Sequence, residues 1–299
     1  MLMINTLISA FIIVAIAPLI EGIVRTVKAR LQNRRGPSIW QPYYDLAKFF
    51  AKDSVVSPTV SWVFGLAPYI YFATAFAAAG VVAVAGPFSR LADILILVYL
   101  LGLGRFFLAL ASLDAGSAFG GMGGSREMFV AILVEPALLL ALVSVAFKAD
   151  TMVLSGMSAT AASLPLSLPY ALSAIAFFIV LIAETGRIPV DNPDTHLELT
   201  MIHEGMILEY SGRSLGLIHL ASMAKQTLVL MLFVAFFVPW QPPGLSSIGL
   251  DWVWGLIKLV LAAALLAIVE TSTNKMRLFK LPGFLAVSCL LSLLALVAQ

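Results

Sequence analysis

Long apolar segments alternate with shorter polar segments along the whole chain. Eight of the apolar segments come close to the roughly 20 residues that a helix needs to cross the hydrocarbon core of a bilayer. They lie at about 2–24, 61–86, 91–112, 128–147, 166–186, 215–239, 252–271 and 281–298. Hydrophobic residues make up 61% of the chain and charged residues 11%, which is far more apolar than a soluble domain. We therefore predict an all-α integral membrane protein with eight transmembrane helices.

Basic residues are divided unequally between the connections that join these segments. The even-numbered connections hold Arg90 and Lys148. The odd-numbered connections hold Arg25, Lys28, Arg30, Arg34, Arg35, Lys48, Lys52, Arg126, Arg187, Arg213, Lys275, Arg277 and Lys280. By the positive-inside rule this second set faces the cytoplasm, so both termini are expected on the outer side of the cytoplasmic (inner) membrane. Basic residues beside apolar segments are typical of membrane topology, and we expect no nucleic-acid partner.

We expect a single membrane domain, 1–299, whose long inner loops form a docking face for partner proteins. These loops are 25–60, 113–127 and 187–214. In the first loop, aromatic and charged residues are interleaved between Tyr43 and Asp53. This pattern favours an amphipathic helix at the membrane surface; the alternative is a basic loop that only fixes the topology. The second loop is rich in glycine but lacks the Gly-Lys-Ser/Thr ending of a phosphate-binding loop, which favours close backbone packing or a flexible turn.

One carboxylate lies well inside a predicted membrane helix. An ionised group at a helix centre costs about 2.5–3.5 kcal/mol and usually marks function. Glu135 lies midway along the fourth apolar segment, directly before Pro136, whose ring removes a backbone donor from the helix. A carboxylate beside a broken helix can hold water and relay protons. The alternative is a static buried pair with an arginine such as Arg105.

Other charged residues lie nearer the ends of the predicted helices. Glu21, Glu184 and Glu270 are close to the cytoplasmic ends, and we interpret each as a boundary residue that snorkels to water. Arg105 and Lys225 lie deeper. If their helices adjoin, these two cations would complete a chain of alternating charges.

A polar stretch at 181–213 separates two apolar segments and holds two of the three histidines and six of the sixteen acids: Glu184, Asp191, Asp194, Glu198, Glu204 and Glu209. Pro189 and Pro193 are expected to end the fifth helix, and either Asn192-Pro193 or the capping box Thr195-x-x-Glu198 to start a short new helix. Closely spaced carboxylates titrate together and exchange protons readily. The stretch therefore favours a proton path or charge sensor; the alternative is a solvated acidic loop facing a basic partner.

The two histidines of this stretch suggest a metal site as one interpretation. His203-Glu204 is not followed by the second histidine of an HExxH zinc motif, and two helical turns, about 10.5 Å of rise, separate His196 from His203. Cys289 is the single cysteine, so the chain alone offers no four-cysteine iron–sulfur site. We therefore expect no metal or other cofactor in this chain.

Two long motifs resemble subunit 1 of respiratory complex I. The first is RLQNRRGP from Arg30, followed by QPYYDLAKFFAKD from Gln41. The second is ETGRIPVDNPDTHLEL from Glu184, followed by EYSG from Glu209. With eight predicted spans in the same order, the resemblance covers essentially the whole chain.

Two departures from the quinone-reducing members of that family indicate a branch. His196 stands where those members usually have a glutamate, and the segment between Glu198 and Glu209 is longer. The sequence DNPDTHLELTMIHEGMILEYSG is similar to that of the membrane subunit of group 4 membrane-bound NiFe hydrogenases, of the formate hydrogenlyase and hydrogenase-4 kind. The resemblance implies a non-catalytic subunit that docks the hydrogenase large and small subunits and iron–sulfur subunits, and joins them to antiporter-like membrane subunits. The NiFe centre and the iron–sulfur clusters would belong to those partners.

The resemblance also implies roles for particular residues. An acidic funnel that carries protons or the redox signal into the membrane would be lined by Glu135, Glu184, Asp191, Asp194 and Glu198. His196 replaces an acid of that funnel and could relay protons itself. The interface beneath the partner's redox centre would be shaped by Arg30, Arg34, Asp45 and Arg187.

The function favoured by these observations is coupling of electron transfer in partner subunits to translocation of protons or sodium ions. One alternative is the quinone-site subunit of a respiratory NADH:quinone oxidoreductase, which bound quinone would favour. Another is a stand-alone ion transporter. Ion transport by the purified chain, without any NiFe or iron–sulfur partner, would favour that alternative.

Overall fold

The computed structural model describes residues 2–82, 93–163, 167–192, 201–240 and 248–298. Within these ranges the chain is helical, without any β-strand beyond an isolated bridge between Asp93 and Val153. The helices are α1 (Leu2–Leu31), α2 (Gln41–Ala51), α3 (Trp62–Val82), α4 (Ile94–Asp114), α5 (Ala118–Ala149), α6 (Leu154–Ser163), α7 (Leu168–Glu184), α8 (His203–Ile207), α9 (Gly212–Phe237), α10 (Ile248–Ser272) and α11 (Leu281–Val297). The all-helical prediction is confirmed for these residues.

Among the described residues, seven helices are long and apolar enough to cross a membrane. They are α1, α3, α4, α5, α9, α10 and α11, the last extended by a 3₁₀ turn at Leu278–Lys280. The segment predicted at 166–186 forms α7, which is apolar but has only 17 residues. The chain is therefore a multi-pass membrane protein.

Helix α9 lies at the centre of the bundle. Of its membrane segment 72% is buried inside the protein, against 28% for α10 and for α11. It packs mainly against α1, α2 and α3, with further contacts to α7 and α10. Because α9 is surrounded by other helices, its polar residues Lys225 and Gln226 are buried among them and do not face lipid.

The glycine-rich stretch of the second inner loop forms the start of a helix. Helix α5 begins at Ala118, well before the predicted segment at 128–147, because the Ser117 Oγ caps it and accepts a hydrogen bond from the Gly120 N–H at 3.1 Å. Gly123 packs against α8, where an added Cβ would lie 2.9 Å from the Gly205 carbonyl carbon. The interpretation of close backbone packing is confirmed.

The first inner loop contains a helix, as predicted. Helix α2 packs on α9 and α1, with Pro42 and Leu46 buried and Tyr44 66% exposed. The Tyr43 hydroxyl donates a hydrogen bond to the Ala15 carbonyl of α1. Burial raises the pKa of Tyr43 above its usual value, which keeps this donor protonated.

Candidate functional site

A buried carboxylate at the end of α7 holds two cations from different helices. Glu184 is the last residue of α7 and is 5% exposed. Its Oε1 lies 2.8 Å from the Lys225 Nζ of α9 and also contacts the Arg105 Nη2 of α4. The expectation that these two cations complete a chain of alternating charges is confirmed, since α4, α7 and α9 meet at this carboxylate.

Arg105 also faces two carboxylates of α5. Its Nε lies 3.4 Å from the Glu127 Oε1, and its Nη1 lies 3.7 Å from the Glu135 Oε1. The Glu135 side chain is 41% exposed, whereas that of Glu184 is 1% exposed. Glu135 therefore combines features of both sequence interpretations. It lies beside Arg105, yet it remains open at the surface of the chain in the middle of a membrane helix.

A second group of ion pairs surrounds Arg187, which follows α7. Its Nη2 contacts the Glu21 carboxylate of α1 and donates a hydrogen bond to the Gln226 Oε1 of α9 at 2.5 Å. Its Nη1 lies 3.8 Å from the Glu270 Oε2 of α10, and the Lys28 Nζ donates to the other oxygen of Glu270 at 2.8 Å. A planar guanidinium presents several donors at once, so one side chain connects three helices.

Three acids that were expected to snorkel are instead buried. Glu21, Glu184 and Glu270 are 5%, 5% and 2% exposed. Desolvation of a carboxylate is offset only where cations and hydrogen bonds surround it, and each of these acids has a cation within 2.8 Å. The interpretation of these residues as boundary groups that reach water is therefore wrong.

Helix α7 ends before the prolines that were expected to end it. Its last residue is Glu184, and the chain then turns at Gly186, whose φ of +61° suits a glycine after a helix C-terminus. Pro189 lies beyond this turn, and its carbonyl accepts a hydrogen bond from the Met276 N–H at 2.8 Å. Pro189 thus fixes the loop to the chain between α10 and α11. Pro193 lies outside the described residues.

Asp191 connects the loop after α7 to two other elements. The Lys275 Nζ lies 2.7 Å from its Oδ1, and its Oδ2 accepts a hydrogen bond from the His203 N–H of α8 at 3.1 Å. Asp191 is 2% exposed. Asp191, which was predicted to line the acidic funnel, is thus a buried residue that links α8 to the loop that follows α10.

Both groups of ion pairs border one cavity of about 110 Å³. A water molecule needs roughly 10–15 Å³ of cavity and two to four polar partners, so several waters fit between these walls. Charged and amide groups line it: Glu21, Arg25, Arg105, Glu127, Glu184, Arg187, Asp191, Glu204, Lys225 and Gln226. The arrangement can hold and exchange protons among carboxylates, cations and water.

Five charged or polar lining residues were not identified from the sequence: Tyr71, Glu127, His219, Ser222 and Gln226. All five lie outside the polar stretch at 181–213. A usable signal was present for the three on α9, because positions i, i+3 and i+7 share one face of a helix. A polar stripe on a membrane helix indicates that the face is turned toward protein or a cavity.

The remaining predicted residues lie in different places. Arg30, in the last turn of α1, and Arg34, in the connection between α1 and α2, are both exposed. Asp45 on α2 accepts a hydrogen bond from Gln41 at 3.0 Å and lies 3.7 Å from the Arg25 Nη1, which joins it to the Glu21 group.

Three predicted coupling residues and the capping box lie outside the described residues: Asp194, His196, Glu198 and Thr195-x-x-Glu198. Within the described ranges, no group of three or more His, Cys, Asp or Glu side chains is placed to hold a metal ion.

Fold and site together define a multi-pass membrane protein whose helices enclose a charged network around a polar cavity. The chain belongs to the family described as NADH dehydrogenase, whose profile matches residues 4–299. It is 38% identical over 280 residues to formate hydrogenlyase subunit 4 of Escherichia coli, an alignment that covers 91% of this chain and 90% of that protein.

Two further relatives come from different complexes. Hydrogenase-4 component C of Escherichia coli is 36% identical, covering 92% of this chain and 89% of that protein. An NADH-quinone oxidoreductase subunit from Syntrophotalea carbinolica is 31% identical, covering 94% of this chain and 92% of that protein. A chain of the archaeal membrane-bound sulfane sulfur reductase has the same fold, with a TM-score of 0.83 over 99% of both chains and 19% identity.

Proposed function

We propose that this chain is the membrane-anchoring and coupling subunit of a complex I-like membrane-bound NiFe hydrogenase, linking electron transfer in peripheral subunits to proton or sodium translocation. The observation that carries the proposal is the charge network around one cavity. Asp191, in the loop after α7, and Arg105 both line this cavity, and Arg105 lies 3.7 Å from Glu135, half-exposed in α5. Similarity to formate hydrogenlyase subunit 4 and hydrogenase-4 component C supports the hydrogenase assignment.

Electrostatics makes such a network an adequate coupling device. Two unit charges 4 Å apart interact by about 4 kcal/mol at the effective dielectric constant near a protein surface. Movement of one charge against 100 mV requires about 2.3 kcal/mol. A change of charge beside Asp191 is therefore large enough to alter the pairing of Arg187 in the Glu21 group, provided that a partner supplies redox energy.

The inner loops 25–60, 113–127 and 187–214 form the docking face in this proposal. The hydrogenase large and small subunits and the iron–sulfur subunits bind there, with Arg30, Arg34, Asp45 and Arg187 beneath the partner's redox centre. Antiporter-like membrane subunits bind laterally. The NiFe centre and the iron–sulfur clusters belong to the partners, in keeping with the single cysteine of this chain.

The proposed topology has eight spans within a single domain, 1–299, in the inner membrane. Helix α7 is the fifth span: its 17 residues rise about 26 Å, near the roughly 30 Å of the hydrocarbon core. Both termini are then outside, and α2 lies at the cytoplasmic membrane surface. The coupling path comprises Glu135, Glu184, Asp191, Asp194, His196 and Glu198.

The variant Glu135→Gln tests this function. Arg105 keeps Glu184 and Glu127 as partners, so we expect normal assembly and hydrogen production from an artificial electron donor. Fewer ions should move per hydrogen molecule in inverted membrane vesicles, because Glu135 can no longer change its charge. The matched control is Asp150→Asn, which removes an exposed carboxylate at the end of α5 where asparagine suits the positive φ.

Two results would contradict the proposal. An unchanged ion-to-hydrogen ratio in Glu135→Gln would exclude Glu135 from the path. Purification of the chain with NADH-dehydrogenase modules and bound quinone, or as a working transporter without redox partners, would overturn the hydrogenase assignment.

A further inference from the structure

Three side chains on the cavity wall that are neither carboxylates nor permanent cations form a line of hydrogen bonds. The Ser222 Oγ of α9 lies 3.3 Å from the His203 Nε2 of α8 and 3.2 Å from the Tyr71 Oη of α3. All three side chains line the same cavity as the ion pairs. The line therefore connects α8, next to the loop after α7, with a helix in the membrane interior.

Both ends of this line are held by contacts outside it. The His203 N–H donates to the Asp191 Oδ2 at 3.1 Å, which places the imidazole beside the charged network. Tyr71 is 5% exposed and belongs to an apolar cluster with residues of α1, α4 and α9. Gly104 lies close beneath it, since an added Cβ there would be 3.1 Å from the ring. These contacts hold the three side chains in place relative to one another.

Each of these groups can both donate and accept a hydrogen bond. Uptake of a proton at the His203 Nδ1 gives an imidazolium, whose Nε2 proton can pass to the Ser222 Oγ while the serine's own proton moves to the Tyr71 Oη. The phenolic proton then leaves to a water of the cavity. One proton enters at Nδ1 from its donor and one leaves to water; the bonds to hydrogen that break at Nε2, Oγ and Oη are replaced by bonds at Oγ, Oη and the water, and no oxidant or reductant takes part.

We propose that His203, Ser222 and Tyr71 form a second proton relay, without carboxylates, that opens into the cavity beside the carboxylate path. The inference rests on the proposed coupling function and names additional residues for it. Ser222 and Tyr71 lie outside the motifs that carry the family resemblance, and His203 lies in the lengthened segment. In contrast to the ion pairs, the relay moves a proton without separating a buried cation from its carboxylate.

Single-oxygen substitutions in the intact complex test the relay. Ser222→Ala and Tyr71→Phe each remove one hydroxyl, and Ser222→Thr restores it at a position bordering the cavity. The readouts are proton movement into inverted vesicles and hydrogen production from an artificial donor. A positioned proton-transfer group typically contributes about 10²- to 10⁴-fold, so loss of either oxygen closes this route. We expect the protons moved per hydrogen molecule to fall with an unchanged hydrogen rate, and Ser222→Thr to restore the ratio.

The variant Glu135→Gln in the same vesicles separates the two hypotheses. If it lowers the ratio while Ser222→Ala and Tyr71→Phe do not, the relay is overturned and the coupling function stands. If none of the three lowers the ratio, the coupling function fails as well. A loss in Ser222→Ala that Ser222→Thr does not restore, without loss in Tyr71→Phe, would assign Ser222 a packing role and overturn the relay. Movement of sodium without protons would overturn it too.

Discussion

Glu184 and Glu21 have the same chemistry but different surroundings. Each carboxylate contacts an arginine and has a second cation within 2.8 Å. Both cations of Glu184, Arg105 and Lys225, come from other helices and are 5% and 8% exposed. Glu21, in contrast, takes one of its two cations from its own helix, and the side chain of that residue, Arg25, is 41% exposed.

We therefore call the ion pairs of Glu184 fixed and the pair between Glu21 and Arg25 adjustable. Removal of one partner from a buried ion pair leaves an uncompensated charge in a low dielectric. An exposed pair is screened by water and salt and can exchange partners at small cost. We infer that the Glu184 group maintains the architecture of the membrane interior. The Arg25 end of the Glu21 group, which also reaches Asp45 of α2 at 3.7 Å, is the part that a docking partner can rearrange.

The largest expected effect comes from Glu184→Gln. The substitution leaves Arg105 and Lys225 without the carboxylate that they share, and loss of one partner from a buried pair costs about 3–5 kcal/mol. A native protein has only about 5–15 kcal/mol of stability, so we expect greatly reduced assembly. The measurements are the amount of the complex in membranes and its Tm after solubilisation.

Asp150→Asn serves as the control for charge alone, because Asp150 is an exposed acid outside both groups of ion pairs. It should assemble normally. Wild-type amounts and Tm for Glu184→Gln would show that Glu184 does not hold these helices together, and the contrast between fixed and adjustable pairs would fail.

An intermediate effect is expected for Lys275→Met. The side chains of Lys275 and Asp191 are 23% and 3% exposed. Asp191 keeps hydrogen bonds from the Asn192 N–H at 2.8 Å and the His203 N–H at 3.1 Å, so it remains partly satisfied. We expect a cost of about 1–3 kcal/mol, typical of a buried group that loses one charged partner. The Tm of the variant should lie between those of Glu184→Gln and wild type.

The matched control here is Lys275→Arg, which keeps the positive charge. It should recover most of the lost stability. Equal losses in Lys275→Met and Lys275→Arg would show that lysine packing, and not the ion pair with Asp191, fixes the loop after α7.

Apolar patterning determined most of the fold in advance. Each of the eight predicted segments overlaps a described helix, because a run of about 20 apolar residues has few alternatives to a helix. Helices α6 and α8 lie outside those segments and were not predicted. The start of α5 was misplaced, because a stretch with five glycines between 116 and 124 has weak helix propensity in sequence and becomes helical through contact with α8.

The site was less predictable, for a physical reason. Glu135, Arg105 and Lys225 stood out by their depth in apolar segments, whereas Glu184 and Asp191 were assigned to a funnel by the family resemblance, and Glu184 was wrongly expected to reach water. Which helices adjoin is a property of the fold, so the burial of Glu21 and Glu270 and the line of contacts through Ser222 could not be read from spacing along one helix.

The smallest effect is expected for Arg25→Gln, which removes the exposed cation from the Glu21 group. Glu21 keeps Arg187 as a buried partner, and exposed pairs are typically worth about 0.2–1 kcal/mol. The Tm should therefore fall slightly at low ionic strength. At 1 M salt, where the screening length is about 3 Å, wild type and variant should have nearly the same Tm. The melting curves of the solubilised complex at the two ionic strengths provide the measurement. A loss as large as that of Glu184→Gln, or one that salt does not reduce, would mean that Arg25 belongs to the fixed group, and docking could not rearrange it.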